Sequence, residues 1–332
     1  MQRTLPRKAG ILLFLLGSAV GWPAAAVPMQ PPRHPLALTD ALRRALPAFT
    51  AAEVHLADGE WTDPVCSLDG RRLVVAYRDP DGPPASWQLL LLQASGQQIR
   101  VLAGRTFAVT DLAWGRSPTE VVVAEGNAIW SVPTHGGTPK WTSLGDVPLW
   151  SPDGSLYVLP VEDGFRRFTA TRRAVGTILH GARMPSWSPS GQWLAYPQAR
   201  MKPAGLPDEQ FSPTCEIRLL EARGRTPRIA WSWPAWKREQ QRRRWARASG
   251  PHQVFWTADG QSLVGLIEVR ERGHRLHYLR RWDLGANAIH LAPVDGGAAL
   301  LSASRDWRTW LVRLEGRLWL LRFLPPRGRA RR

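Results

Sequence analysis

Cysteine is scarce in this chain of 332 residues, which contains only Cys66 and Cys215. Two cysteines exclude a disulfide-rich scaffold. A bridge between them is not expected either, because they lie several repeats apart in the pattern described below, and a disulfide requires Cα atoms about 4.4–6.8 Å apart. The sequence predicts that Cys66 is a small buried apolar side chain.

The sequence also lacks the patterns that mark common catalytic centres. No Gly-x-Ser-x-Gly segment is present, which excludes the nucleophile elbow of the α/β-hydrolases. The eight histidines are scattered and do not have the spacing of metal ligands. After the N-terminal segment, no apolar run approaches the length of about 20 residues that spans a membrane. We therefore expect no metal and no cofactor.

Acidic residues are few: 27 Asp and Glu face 44 Lys and Arg, a formal net charge of +17. Such an excess favours polyanionic partners such as nucleic acid, anionic lipid or acidic polysaccharide. The alternative interpretation is that the source proteome is rich in arginine and the charge was not selected for binding.

The first 26 residues resemble a secretory signal peptide. Arg3, Arg7 and Lys8 precede the apolar run 11–16, and the small residues 24–26 offer a cleavage site. This order of basic, apolar and small residues is typical of export signals. We expect cleavage after Ala26 and a periplasmic or secreted protein, which argues against nucleic acid as a partner.

Both ends of the remaining chain have a biased composition. Residues 27–50 are predicted to be a proline-rich linker followed by a short helix over 38–47, with Thr39 or Asp40 as its N-cap. Residues 327–332 form a basic tail. The interval between them, 51–326, is predicted to be one folded domain.

A short motif recurs through the middle of the chain. Trp150-Ser-Pro-Asp-Gly154 is followed by the apolar run 156–159, which predicts a strand end, a tight turn and a second strand. An aromatic ring at the strand end would pack between sheets, and this position accounts for part of the 18 tryptophans. The other copies, the last two of them degenerate, are 66–70, 187–191, 256–260, 114–118 and Asp295-Gly296 before 298–301.

The copies recur roughly every 36 to 42 residues, which is typical of propeller blades built from several short strands. The longer interval between Gly191 and Gly260 would hold either a seventh blade or one blade with insertions. The arginine-rich stretch within it cannot be a buried inner strand, so we favour insertions at 198–214 and 234–251. The sequence therefore predicts an all-β protein, a propeller of six blades with four antiparallel strands each. Either 53–56 or 317–323 could complete the last sheet.

The repeats resemble the WD40-like repeats of the TolB-type β-propellers. The resemblance rests on Trp150-Ser-Pro-Asp-Gly154, on Trp187-Ser-Pro-Ser-Gly191 and on the outer strand and turn 129–137. It implies the fold and says little about function, because similar blades occur in scaffolds, binding proteins and enzyme accessory domains. The α/β domain that precedes the propeller in TolB has no counterpart between the predicted signal and the first repeat.

The strongest candidate site is the basic, tryptophan-rich segment 223–250. Arginine pairs with phosphate or carboxylate, and tryptophan stacks on sugars and bases or lies at a membrane interface. The alternative interpretation is a solvated loop whose tryptophans cover the adjacent blade. The candidate binding residues are Arg225, Arg228, Trp231, Trp233, Trp236, Lys237, Arg238, Arg242, Arg243, Arg244, Trp245 and Arg247.

Three functions are compatible with the sequence. The favoured hypothesis is an exported, non-catalytic and monomeric propeller that binds another envelope protein. The second is a polyanion or envelope-glycan binder that uses 223–250, either on an anionic glycan or on a lipid surface. The third is a propeller hydrolase or lyase with catalytic groups in its channel. The carboxylates that could face a channel are Asp58, Asp63, Asp79, Asp81, Glu162 and Asp163.

Overall fold

The computed structural model describes residues 42–324 apart from twelve short or single-residue interruptions and one longer one. The predicted signal peptide and tail lie outside the described residues, as does most of the predicted linker. The residues left out between 42 and 324 are 44, 57–59, 80–86, 104–105, 162–163, 183, 200–214, 233–237, 239–246, 249, 272–273, 286–288 and 295.

The described chain forms six antiparallel sheets arranged as the blades of a propeller, as the repeats predicted. Each blade runs from an innermost strand near the axis to an outermost strand, and in blades 1 and 5 the innermost strand is split into two short pieces. Blade 1 contains β2 (Glu60–Trp61), β3 (Val65–Cys66), β4 (Arg72–Arg78), β5 (Gln88–Gln93) and β6 (Gln98–Val101). Blade 2 contains β7 (Val109–Trp114), β8 (Glu120–Glu125), β9 (Ala128–Pro133) and β10 (Lys140–Leu144). Blade 3 contains β11 (Leu149–Trp150), β12 (Leu156–Val161), β13 (Gly164–Thr169) and β14 (Ala174–His180).

The second half of the ring follows the same order, except that its last sheet takes one strand from the N-terminal side of the domain. Blade 4 contains β15 (Ser186–Trp187), β16 (Trp193–Ala199), β17 (Cys215–Glu221) and β18 (Arg228–Trp231). Blade 5 contains β19 (Arg247–Ala248), β20 (Phe255–Trp256), β21 (Ser262–Glu271), β22 (His274–Asp283) and β23 (Ile289–Val294). Blade 6 contains β24 (Ala299–Ala303), β25 (Thr309–Leu314), β26 (Arg317–Phe323) and, outermost, β1 (Phe49–Val54).

The sixth blade closes the ring by joining the two ends of the domain. Strand β1 pairs antiparallel with β26, from Phe49 opposite Phe323 to Val54 opposite Leu318. Both segments that the sequence offered for closure therefore lie in this sheet, β26 third from the axis and β1 at the edge. This pairing ties the N-terminal strand of the domain to its last blade and so closes the ring.

The sixth copy of the repeat was predicted at the wrong place. Asp295 lies outside the described residues, and Gly296 lies in the connection from β23 to β24, between two blades. The true sixth turn is 303–309, where the Ser304 amide donates to the Thr309 carbonyl (2.8 Å) and the Ser304 hydroxyl donates to Asp306 (2.7 Å). Trp307 occupies the glycine position of this turn with φ of 59°. Ala303 replaces the tryptophan of the motif, so the copy is hard to recognise.

Apolar side chains fill the joints between blades. A blade presents an apolar surface to each neighbour, which is why its central strands are nearly continuous apolar runs. One turn of helix at 42–46, closed by a hydrogen bond from the Leu46 amide to the Leu42 carbonyl (2.8 Å), packs with Ala45 against blades 5 and 6. No helix among the described residues is long and apolar enough to cross a membrane.

The interval between Gly191 and Gly260 holds no seventh sheet in the described residues. Strands β15 to β18 form blade 4, and β19 already pairs with β21 of blade 5. Of the predicted insertion 198–214, residues 198–199 belong to β16 and 200–214 lie outside the described residues. Of 234–251, only 238, 247–248 and 250–251 are described.

Candidate functional site

The carboxylates of the repeated turns have structural roles. In blade 3 the Ser151 hydroxyl donates to Asp153 (2.6 Å), and Asp153 also accepts from the Ser155 amide (3.1 Å). Burial disfavours ionisation of the Asp153 carboxyl, but these hydrogen bonds outweigh it and lower its pKa below the usual value. Asp69 in blade 1 behaves in the same way. These aspartates therefore favour the ionised form, in which they accept the hydrogen bonds that hold the turns.

The tryptophans of the motif connect neighbouring blades. In three blades the indole N–H donates to a main-chain carbonyl on the innermost strand of the preceding blade, one residue before the equivalent motif position. Each such bond contributes about 0.5–1.5 kcal/mol and fixes the spacing of two blades. The donor–acceptor pairs are Trp114 with Val65 (3.2 Å), Trp187 with Leu149 (3.1 Å) and Trp256 with Ser186 (3.0 Å).

Cys66 replaces tryptophan at the joint between blades 6 and 1. Its amide donates to the Ser302 hydroxyl (2.9 Å), which connects the two blades at this position. The thiol is buried and free, as the prediction of a small apolar side chain required. Burial raises the pKa of Cys66 to about 12, so the thiol is neutral at physiological pH.

The innermost strands surround a central cavity of about 310 Å³. Its walls are mainly apolar. Two apolar side chains are unusually accessible: Met184, which lies just before an innermost strand, is 56% exposed, and Leu149, which begins one, is 39% exposed. Among the apolar side chains that line it are Leu112, Leu149, Met184, Leu301 and Trp307.

Trp307 crosses the other end of this cavity. It lies in the turn that follows the innermost strand of blade 6, and its indole N–H donates to the Trp187 carbonyl of blade 4 (2.8 Å). The ring also packs edge-on against Phe255 of blade 5, with 5.1 Å between ring centres. Met184 and Leu149 lie before or at the start of innermost strands, so they belong to the opposite end. The cavity is therefore a pocket with one apolar rim.

The carboxylates proposed for a catalytic channel do not come together in the described residues. Asp63 forms an ion pair with Arg313 (3.0 Å), and neither Asp63 nor Asp79 lines the cavity. Asp58, Asp81 and the pair 162–163 lie outside the described residues. Among the residues that the structure describes, no group of three His, Cys, Asp or Glu side chains could hold a metal ion.

Comparison with known proteins supports the fold alone. No protein-family model and no curated protein matches this sequence. Among solved structures, the chain is similar to the hydrazine synthase of Kuenenia stuttgartiensis, with a TM-score of 0.52 and 15% identity over 81% of this chain and 78% of that one. At this identity the likeness concerns the fold.

Two further structures are more distantly similar. One is an oligogalacturonate lyase in complex with manganese, with a TM-score of 0.43 and 13% identity over 84% of this chain and 97% of the other. The second is the β-propeller domain of Cps50 (Swd1) from Myceliophteria thermophila, with a TM-score of 0.45 and 13% identity over 80% and 85%. Both TM-scores lie below 0.5, so these two similarities carry no information about function.

The predicted basic site is only partly described. Arg225 lies exposed in the turn before β18, Arg228 begins that outermost strand, and Arg238 is exposed. Arg247 belongs to β19, where it pairs with Arg270 of β21. The remaining candidates lie outside the described residues: Trp233, Trp236, Lys237, Arg242, Arg243, Arg244 and Trp245.

Two of the described candidates pack against neighbouring side chains. The Arg228 guanidinium lies over the Trp193 ring at 4.3 Å from its centre. Trp231 is half-buried and faces the fully buried guanidinium of Arg280, 4.7 Å from the ring centre, which Trp282 contacts from 5.0 Å. Such cation–π contacts stabilise a buried guanidinium. Trp231 therefore covers the joint between blades 4 and 5.

Sequence reasoning missed the cavity rim and its closing side chain. Met184 lies just before an innermost strand, three residues ahead of the motif tryptophan Trp187. Leu149 begins an innermost strand, directly ahead of the motif tryptophan Trp150. An apolar residue at that place, beside proline, was the available signal. Trp307 gave no signal because it replaces a glycine.

Proposed function

We propose that this chain is an exported, non-catalytic β-propeller that binds another protein of the cell envelope through the open end of its central cavity. Export is supported by the N-terminal pattern of residues 1–26. Binding is supported by one observation in particular, the exposed apolar pair Met184 and Leu149 at the rim of a pocket with apolar walls.

The chemistry of the rim suits a protein partner. A projecting apolar side chain of the partner would enter the pocket, whose volume of about 310 Å³ accommodates one or two such side chains. Methionine is unbranched and polarisable, so it adapts to different apolar surfaces. Exposed apolar patches mark protein-interaction sites, and methionine is enriched at protein interfaces. Trp307 limits how deep the entering group can reach.

The test is affinity capture from envelope extract with the full chain as bait, compared between two variants. Burying one such side chain contributes about 1.5–3 kcal/mol, so Met184→Glu should weaken binding of a specific partner about 10- to 100-fold. Val101→Glu is the matched control, because Val101 is an exposed apolar residue on the outermost strand of blade 1. The partner should be retained by Val101→Glu and should resist high salt.

A partner that is captured equally by both variants would refute binding at the rim.

A second candidate function, binding of a polyanion or envelope glycan by 223–250, is favoured by the exposed Arg225 and Arg238. Its test is the change of Arg242, Arg243 and Arg244 to serine. An anionic ligand that is recovered only at low salt and lost in that triple variant would establish the second function in place of the first.

A further inference from the structure

The joint between blades 2 and 3 differs from the other five joints of the ring. Large apolar clusters fill those five. Between blades 2 and 3 the cluster comprises only Val122, Ala124 and Ile129, with Val147 packed against it. Beside this small cluster the facing blades leave a groove of about 460 Å³. Because a packed joint is more stable than an open one, the open joint requires an explanation.

Three aromatic rings form the blade 3 wall of this groove. Trp150 and Tyr157 lie with their ring centres 4.7 Å apart, and Tyr157 stacks on Phe168 at 5.4 Å with an angle of 17° between the ring planes. All three side chains line the groove. A continuous aromatic surface favours ring-shaped ligands that have an apolar face.

A positively charged side chain crosses from blade 2 to this aromatic wall. Arg116 stands where the better copies of the motif have proline, as Pro152 does in blade 3. Its side chain passes over Gly154, which has φ of 68° and where a Cβ would lie 3.1 Å from the Arg116 Cγ. The guanidinium comes to 5.9 Å from the Trp150 ring centre. The departure from the motif thus places a charge at the groove.

A second guanidinium borders the groove on the blade 3 side. Arg172 lies in the turn between β13 and β14 with φ of 65° and is exposed. In the portion of the chain that the structure describes, neither Arg116 nor Arg172 forms an ion pair. Two accessible guanidinium groups beside one aromatic surface favour an anion of planar geometry, because arginine binds a carboxylate with two parallel hydrogen bonds.

The blade 2 side of the groove carries hydrogen-bonding groups. Thr142, Ser143 and Asp146 line it, and Glu120 accepts a hydrogen bond from the Ser131 hydroxyl (2.5 Å) there. Hydroxyl and carboxylate oxygens on this side suit a ligand with several hydroxyl groups. The Thr142 hydroxyl already donates to the Ile129 carbonyl (2.9 Å), but a lipid chain would cover Ser143 and Asp146 without supplying partners for them, which is costly.

We propose that the groove between blades 2 and 3 binds an acidic saccharide, a chain of pyranose rings that carry carboxylates. The aromatic wall would contact the apolar face of a sugar ring, the guanidinium groups of Arg116 and Arg172 would bind its carboxylate, and the opposite side would bind its hydroxyls. The groove shares Pro148 and Trp150 with the lining of the central cavity, but Arg116 and Arg172 line the groove alone and lie outside the segment 223–250. Variants of these two arginines therefore distinguish failure of this site from failure of the other two.

The test is calorimetric titration of the full chain with a hexasaccharide of mannuronic acid at physiological ionic strength. Mannohexaose is the matched neutral ligand, because it has the same backbone without the carboxylates, and inorganic polyphosphate is the matched non-sugar anion. The double variant Arg116→Gln, Arg172→Asn removes both charges, and asparagine tolerates the positive φ at 172. Arg173→Gln removes one exposed charge adjacent to the groove lining.

The hexauronate should bind more tightly than mannohexaose and polyphosphate. Loss of two charge-assisted contacts should weaken its binding about 100-fold in the double variant, whereas Arg173→Gln should change it by less than about threefold. Absence of binding, or unchanged binding in the double variant, would overturn the proposal. Polyphosphate that binds as tightly, or equal weakening by Arg173→Gln, would also overturn it, because either result indicates general attraction to a positively charged surface.

Discussion

Replacement of Arg167 by methionine tests how blades 3 and 4 are held together. Arg167 lies on β13 and is fully buried. Its Nη1 donates to the carbonyls of Glu221 (2.9 Å) and Ala222 (2.8 Å), and its Nη2 donates to that of Gly224 (2.7 Å). One side chain of blade 3 thus binds the turn between two strands of blade 4.

The magnitude follows from two opposing contributions. Three hydrogen bonds from a charged donor contribute about 1.5–3 kcal/mol each. Burial of the guanidinium costs several kcal/mol, and the same burial lowers its pKa, although it stays protonated at neutral pH. Methionine fills most of the volume but leaves three carbonyls to partial solvation. We expect a net loss of about 2–3 kcal/mol in the free energy of unfolding.

The assay is urea unfolding followed by tryptophan fluorescence. With a denaturant dependence of about 3 kcal/mol per molar urea, the midpoint should fall by about 0.7–1 M. Arg173→Met is the control, because Arg173 is exposed. Arg167→Lys should recover part of the loss, since an ammonium can donate to one or two of the carbonyls. A midpoint that stays constant or rises in Arg167→Met would refute the reasoning, because burial of the charge would then outweigh its hydrogen bonds.

Two further changes test the axis of the ring. Trp307→Gly relieves the strain of a positive φ but removes the hydrogen bond to Trp187 and the contact with Phe255. Thermal unfolding should therefore show a loss of about 2–3 kcal/mol in the free energy of unfolding, and Trp307→Phe should lose less. A Trp307→Gly variant as stable as the native chain would contradict the role of the indole. Burial keeps the Cys66 thiol neutral in the folded chain up to about pH 12, whereas in the unfolded chain it ionises above about pH 8.5. The stability that Cys66 contributes is therefore fully present below about pH 8.5 and is lost as the pH rises toward 12. The difference in stability between the native chain and Cys66→Ala should therefore shrink from pH 7 to pH 10, and a constant difference would contradict it.

The fold could be predicted because its repeated turns depend on local chemistry. Asp153-Gly154 and its equivalents specify a turn whatever the rest of the chain does, and their spacing indicates the number of blades. The prediction failed at blade 6, where the hydrogen bonds of Ser304 and Asp306 hold the same turn with a tryptophan at the glycine position. There the contacts of the Trp307 side chain with Trp187 and Phe255 outweigh the local preference for glycine at a positive φ. A pattern of neighbouring residues in the sequence does not record such contacts.

The sites were less predictable for the same reason. Composition marks 223–250 as a basic, tryptophan-rich segment, whereas in the structure Trp231 packs on Arg280. The groove between blades 2 and 3 depends on one proline position occupied by Arg116 and on which blade faces which. Such contacts join residues far apart in sequence. Composition identifies charge and aromatic content, and only the tertiary fold determines which of these residues meet.

The position of β1 affects the order in which the molecule can assemble. Among the described strands, β1 is synthesised first and its partner β26 last, so the outer edge of the sixth blade must wait until the strands of all the other blades have been made. Closure is therefore a late event with a large separation in sequence, which makes it slow relative to the formation of each local hairpin. A circular permutant that begins between β23 and β24 would contain all six sheets as continuous segments. It should close faster, at the cost of a ring whose first and last blades are no longer tied by a shared strand.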